Sequence, residues 1–105
     1  MSDINVGFVG LGNVGSKVAN NIISNGYKLY VHDLDEKKSK NLVSKGGIFC
    51  ESIEELVPNV TILITCLPSP KSVKDVLLKC VPLFKESHLW IEMSTTDEHD
   101  MQYLS

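Results

Sequence analysis

A chain of 105 residues can bury about 65% of its unfolded surface around one core, without disulfides or metal, and is too short for two domains. Its 43% hydrophobic and 22% charged content excludes a disordered or fibrous class. A net charge of −3 gives no electrostatic reason to expect nucleic acid or an acidic membrane as partner, and no apolar run approaches the roughly 20 residues of a membrane span.

The opening "MSDINVG" carries neither a basic n-region nor an Arg-rich transit segment, so a cytoplasmic protein is expected. Ile4 to Val9 is almost wholly apolar, as a parallel strand covered on both faces should be. "GLGNVG" follows at residues 10–15. From Asn13 to Asn25, Val14, Val18, Ala19, Ile22 and Ile23 recur at helical spacing, and Gly26 stands where a helix ends.

Tyr27 to Asp33 reads as the second strand, Asp35 to Lys45 as an exposed helix closed by Gly46 and Gly47, and "IFC" as a short third strand. Ser52-Ile-Glu-Glu55 matches a capping box, opening a brief helix with Ile53, Leu56 and Val57 inward. Val60 to Leu67, rich in β-branched residues, is the strongest central strand. Ser69-Pro70 supplies an N-cap and a first-turn proline for a helix burying Val73, Val76, Leu77, Cys80 and Val81. His88 to Met93 is the fifth strand. Thr95-Thr-Asp-Glu98, a second capping-box match, opens a helix near the last residue given.

Five strands, each followed by a helical segment, predict an α/β fold: a doubly wound, mostly parallel sheet with helices on both faces, the Rossmann fold. Residues 1–105 are expected to be one dinucleotide-binding domain of a longer protein. An outer strand without its neighbour would expose N–H and C=O groups, so a homo-oligomer is a possible state.

The glycines have a chemical reading. Gly10-x-Gly12-x-x-Gly15 follows a strand, opens a helix and precedes a second strand ending in Asp33, 18 positions after Gly15, close to the dinucleotide fingerprint. Gly10 permits the tight turn, Gly12 lets backbone approach a pyrophosphate, and Gly15 lets helix and strand pack closely. The N–H groups at the helix start would face the phosphates. Asp33 would accept hydrogen bonds from the adenosine ribose, and its charge would oppose a 2′-phosphate, which favours NAD over NADP. Lys37 and Lys38 nearby would soften that preference. A plainer reading has Asp33 or Asp35 capping the following helix.

Other residues read as structural. Cys50, Cys66 and Cys80 form no CxxC pair and no zinc spacing, so reduced, packed thiols are expected. Cys66 lies near the proposed cleft with no base close in sequence to activate it. His32 and His88 are isolated at strand ends, and Trp90 is expected in the core. Asp97 to Asp100, "DEHD", reads as solvated side chains of a first helical turn, and no metal site is expected.

The segments "VGFVGLGNVGSKVANNIISNGYKLYVHD", "TILITCLPSPKSVKDVL" and "IEMSTT" together resemble the N-terminal domain of the β-hydroxyacid dehydrogenase family. That family includes 3-hydroxyisobutyrate dehydrogenase, tartronate semialdehyde reductase and the related 6-phosphogluconate dehydrogenases. The resemblance implies that Gly10, Leu11, Gly12, Asn13, Val14 and Gly15 form the phosphate loop. It also implies that Leu67 and Pro68 pass beside the adenosine and ribose, and that Ser94 and Thr95 sit near the nicotinamide. Thr95 reads equally as an N-cap. Three departures stand out: Val14 replaces a frequent methionine, Ser72 replaces an asparagine that in many members contacts the cofactor, and "TDEHD" replaces an aliphatic residue and proline.

The family's substrate-binding segment and catalytic lysine lie in a C-terminal helical region beyond Ser105, so no residue here is assigned as catalytic. The implied function of the whole protein is hydride transfer between NAD and a small 3-hydroxy acid. Two alternatives stand beside it: a non-catalytic nucleotide-binding or assembly module, and an NADPH-dependent imine or keto-acid reductase with a similar opening loop.

Overall fold

In a computed structural model describing residues 4–67, 70–83, 85 and 88–93, five strands form one parallel sheet. They are Asn5–Val9 (β1), Lys28–His32 (β2), Ile48–Phe49 (β3), Ile62–Thr65 (β4) and Leu89–Glu92 (β5). Their order is β3-β2-β1-β4-β5. The chain steps outward from β1 to β3, crosses back beyond β1, and steps outward the other way. β1 and β4 therefore flank the point where the strand order reverses, the place where open α/β sheets bind ligands beyond their carboxyl ends. Val9 is in register with both His32 and Thr65, so three strands end side by side there.

Four helices connect the strands: Asn13–Ser24 (α1), Lys40–Ser44 (α2), Ile53–Leu56 (α3) and Pro70–Cys80 (α4). Side chains alternate across β1, and each face of the sheet gathers its own core. Val6, Phe8, Leu29, Val31 and Ile64 pack with Leu11, Ala19 of α1 and Leu42 of α2. Val9 and Leu63 pack on the opposite face with Cys50, Ile53 and Leu56 of α3, Val57, Val60, and Val76 and Cys80 of α4. Each buried valine, leucine, isoleucine or phenylalanine among them contributes roughly 1.5–3 kcal/mol. Gly7, in the middle of β1, leaves the space that the Leu56 and Val60 side chains fill.

Local structure departs from the sequence expectation at three places. Residues 35–45 are not one helix: a 3-10 turn at Glu36–Ser39 precedes α2. The Asp35 carboxylate accepts from the Lys37 amide at 3.1 Å, and the Ser39 hydroxyl donates to the Glu36 carbonyl at 2.6 Å, holding a tight turn. At the capping box, Ser52 Oγ accepts from the Glu55 amide at 3.1 Å as expected, but Glu55 Oε2 returns to the amide of Glu51, not of Ser52. On α4, Val73, Val76 and Cys80 are buried and Leu77 is half-buried, whereas Val81 is 56% exposed. The helix tightens into a 3-10 turn at Val81–Leu83, which shifts the phase of the stripe. Trp90 is half-buried at the edge of the α3/α4 core.

Cys80 carries a pH prediction. Burial first, and the Glu54 carboxylate second, push its thiol from 9.0 up to about 11. The folded chain thus favours the neutral thiol. The associated stability is complete below about pH 9 and is lost as pH rises toward about 11, by up to about 3 kcal/mol. Urea unfolding at about pH 8 and about pH 10.5 should show this loss, and Cys80→Ala should show a smaller one. Equal losses in both proteins would sink the assignment.

Candidate functional site

The loop from β1 to α1 is anchored at every residue up to Gly12 and open from there. Gly10 has φ 98°, a left-handed conformation that suits glycine, and its amide donates to the His32 carbonyl at 3.1 Å. A Cβ on Gly10 would collide with the backbone carbonyl of Cys66 at the end of β4, and the Leu67 side chain lies against the same spot. Leu11 is held three ways: its side chain is buried in the core, its amide donates to Asp33 Oδ2 at 2.7 Å, and its carbonyl accepts from Ser16 Oγ at 2.8 Å. Gly15 is buried, and a Cβ there would strike the Gly10 carbonyl oxygen, so strand and helix meet backbone to backbone.

Gly12 differs from both. It is exposed, and a Cβ on it would meet nothing within 4 Å. It occupies the N-cap of α1 with no side-chain cap, and the first turn holds no acid. The first intrahelical bond comes from the Ser16 amide to the Gly12 carbonyl, at 2.8 Å. The amides of Asn13, Val14 and Gly15 precede it, on the positive end of the helix. Asn13 and Val14 are exposed. Space that a Cβ would fill, beside donors without a helical partner, suits the close approach of a phosphate group.

Asp33, just past β2, faces this loop. Besides the Leu11 amide, it accepts the Asp35 amide through Oδ1 at 2.8 Å. Asp35 caps the following turn, one of the two acids for which the sequence offered that task, and Asp33 accepts the Leu11 and Asp35 amides. Leu34 between them is 99% exposed.

The remaining candidates lie at both ends of the strands, His32 and Cys66 at the carboxyl edge and His88 at the amino end of β5. His32 is buried with Nδ1 2.9 Å from the Cys50 carbonyl. His88 Nδ1 accepts from the Lys85 amide at 2.7 Å, so Nε2 carries the proton and donates to the Val57 carbonyl at 3.1 Å. Both histidine rings are engaged by backbone groups. Burial first, then the Glu92 charge, raises the Cys66 thiol, whose Sγ lies 3.6 Å from the Met93 carbonyl. Such a thiol is a poor nucleophile.

A polar cluster that the sequence reading missed spans β4 and β5. The fully buried Thr65 hydroxyl donates to Glu92 Oε2 at 2.6 Å and accepts from Trp90 Nε1 at 3.0 Å. The strand register pairs Thr65 with Glu92, a relation invisible before the strands are aligned.

Pro68, Ser94 and Thr95, expected beside the cofactor, lie outside the described residues, as do Ser69 and Asp97 to Asp100. Among the described residues, no group of three or more His, Cys, Asp or Glu side chains is placed to hold a metal, and no helix is long and apolar enough to cross a membrane.

Residues 5–105 match the family model of the NAD binding domain of 6-phosphogluconate dehydrogenase. The chain belongs to this family. It is 35% identical over 106 residues to the probable mitochondrial 3-hydroxyisobutyrate dehydrogenase of Arabidopsis thaliana, covering 96% of this chain and 30% of that protein. Its fold superposes on Mycobacterium tuberculosis 3-hydroxyisobutyrate dehydrogenase, solved with L-serine, with a TM-score of 0.85 at 23% identity, over 96% of this chain and 35% of that one. A reductive aminase from Aspergillus terreus, solved with NADPH and ethyl-5-oxohexanoate, gives 0.81 at 19% identity, over 98% and 36%.

The chain thus spans about a third of the length of these proteins. The Rossmann fold and the family resemblance read from sequence both stand. This NAD-binding domain carries its glycine loop at the reversal of strand order, where the family's dinucleotide is expected from the geometry of the sheet.

Proposed function

We propose that this domain binds NAD(H) for a dehydrogenase acting on a small 3-hydroxy acid. The amides of Asn13, Val14 and Gly15 receive the pyrophosphate above Gly12, with Gly10 and Leu11 shaping the turn beneath it. Asp33 receives the adenosine ribose. Leu67 and Pro68 lie along the adenosine side, and Ser94 and Thr95 toward the nicotinamide. In the whole protein, hydride passes between the substrate carbon and the nicotinamide while a lysine contributed by the rest of the polypeptide exchanges the hydroxyl proton. Outer strand β5, with Leu89 and Ile91 exposed, offers a surface for self-association.

The observation that carries this reading is the open, uncapped loop at Gly12 standing beside a carboxylate pinned by two amides. That carboxylate supports NAD over NADP, since a 2′-phosphate would approach a negative group held in place.

Fluorescence titration with NADH and NADPH tests it, using Trp90, the single tryptophan of the chain, as energy donor. NADH should bind saturably and NADPH about tenfold or more weakly, a difference of about 1.4 kcal/mol. Equal or tighter NADPH binding would favour the imine or keto-acid reductase reading. A folded chain that binds neither cofactor would refute binding by this domain alone.

A further inference from the structure

Asp33 has a second task in this site. We infer that its carboxylate is a positioning residue for the phosphate loop, acting through the Leu11 amide independently of any ribose hydroxyl. The inference rests on the dinucleotide reading given above.

The two carboxylate oxygens are each engaged by backbone. Oδ2 accepts the Leu11 amide at 2.7 Å, across 22 positions of sequence, and Oδ1 accepts the Asp35 amide at 2.8 Å. Such charge-assisted bonds are roughly twice as strong as neutral ones. The Leu11 contact lies in a partly buried place, where an amide stripped of its acceptor is costly.

Leu11 is also the last fixed residue before the open part of the loop. Its side chain is 2% exposed and its carbonyl is held by Ser16 Oγ, whereas Gly12, Asn13 and Val14 are exposed. The peptide between Gly10 and Leu11 leads into the exposed Gly12 and the first amides of α1, and the Asp33 carboxylate is the side chain that fixes its N–H, beside the buried Leu11 side chain and the Ser16 hydroxyl on the following carbonyl. A loop ordered before its ligand arrives loses less conformational freedom on binding. Asp33 has unused acceptor capacity for a ribose, because an ionised carboxylate offers about four lone-pair positions and two are taken. One side chain thus links the ribose end of the site to the phosphate end.

The two roles separate with a ligand that has no adenosine ribose hydroxyls. The 105-residue chain and its Asp33→Ala and Asp33→Asn variants are titrated with NADH and with its 2′,3′-dideoxyadenosine analogue. Hydrogen exchange at the Leu11 amide is followed by NMR in the same proteins. If Asp33 positions the loop, Asp33→Ala weakens the dideoxy analogue about tenfold and speeds Leu11 exchange about tenfold or more. Asp33→Asn, which keeps one acceptor oxygen, falls between, and it serves in place of Asp33→Ala if that variant does not fold.

An acid acting only on the ribose gives another pattern: NADH weakens, while the analogue binds all forms alike. That result overturns the inference and leaves the cofactor reading standing. Should the analogue bind too weakly to titrate, inorganic pyrophosphate, which has no ribose, takes its place as the probe, with the same two outcomes. Failure of NADH itself to bind the unsubstituted chain would reject the cofactor reading instead.

Discussion

Gly10→Ala should destabilise the chain by about 2–5 kcal/mol, a large part of the roughly 5–15 kcal/mol that holds a domain folded. Two costs coincide. Gly10 has φ 98°, where a side chain adds about 1–2 kcal/mol of strain. The new methyl group would also collide with the Cys66 carbonyl, an atom of the sheet backbone that cannot rotate away. Overpacking of that kind adds about 1–3 kcal/mol. Urea unfolding measures the result directly. A midpoint within about 1 kcal/mol of the parent would mean that β1 and β4 do not converge on this turn as described.

Gly12→Val should do the opposite. The space over Gly12 is open and its backbone lies at φ −71° and ψ −167°, an extended conformation that valine tolerates. The stability cost should stay near 1 kcal/mol, because valine is a poorer N-cap than glycine. NADH affinity should fall about 100-fold or more, equivalent to about 2.7 kcal/mol, since the isopropyl group would occupy the phosphate position. Unchanged affinity would place the pyrophosphate elsewhere. The pair would separate two duties within one motif, Gly10 serving the fold and Gly12, on the proposed reading, the ligand.

Those duties were only partly legible in sequence. The turn expected at Gly10 and the close packing expected at Gly15 agree with their surroundings, because turn and packing are local matters that spacing alone encodes. The strand positions were legible for a similar reason. Central strands buried on both faces need continuous apolar runs, and Ile62–Thr65 and Asn5–Val9 stand within the two strongest. Val81 is exposed where helical spacing predicts burial, because that spacing holds only while the helix continues and Pro82 sits in the 3-10 turn that replaces it. Leu34, fully exposed between two engaged acids, has no pattern that would mark it.

What the sequence determined by itself is the succession of elements and the chemical character of the first loop. These depend on residues within a few positions of one another: an apolar run, glycines where side chains cannot fit, caps where helices start. Tertiary structure decided that Asp33 binds the Leu11 amide and where Thr65, Trp90 and Glu92 meet. Those contacts join residues 22 to 27 positions apart. They exist only because the parallel register aligns Val9 with His32 and Thr65 with Glu92, and that alignment is set by two packed cores and not by any short stretch of chain.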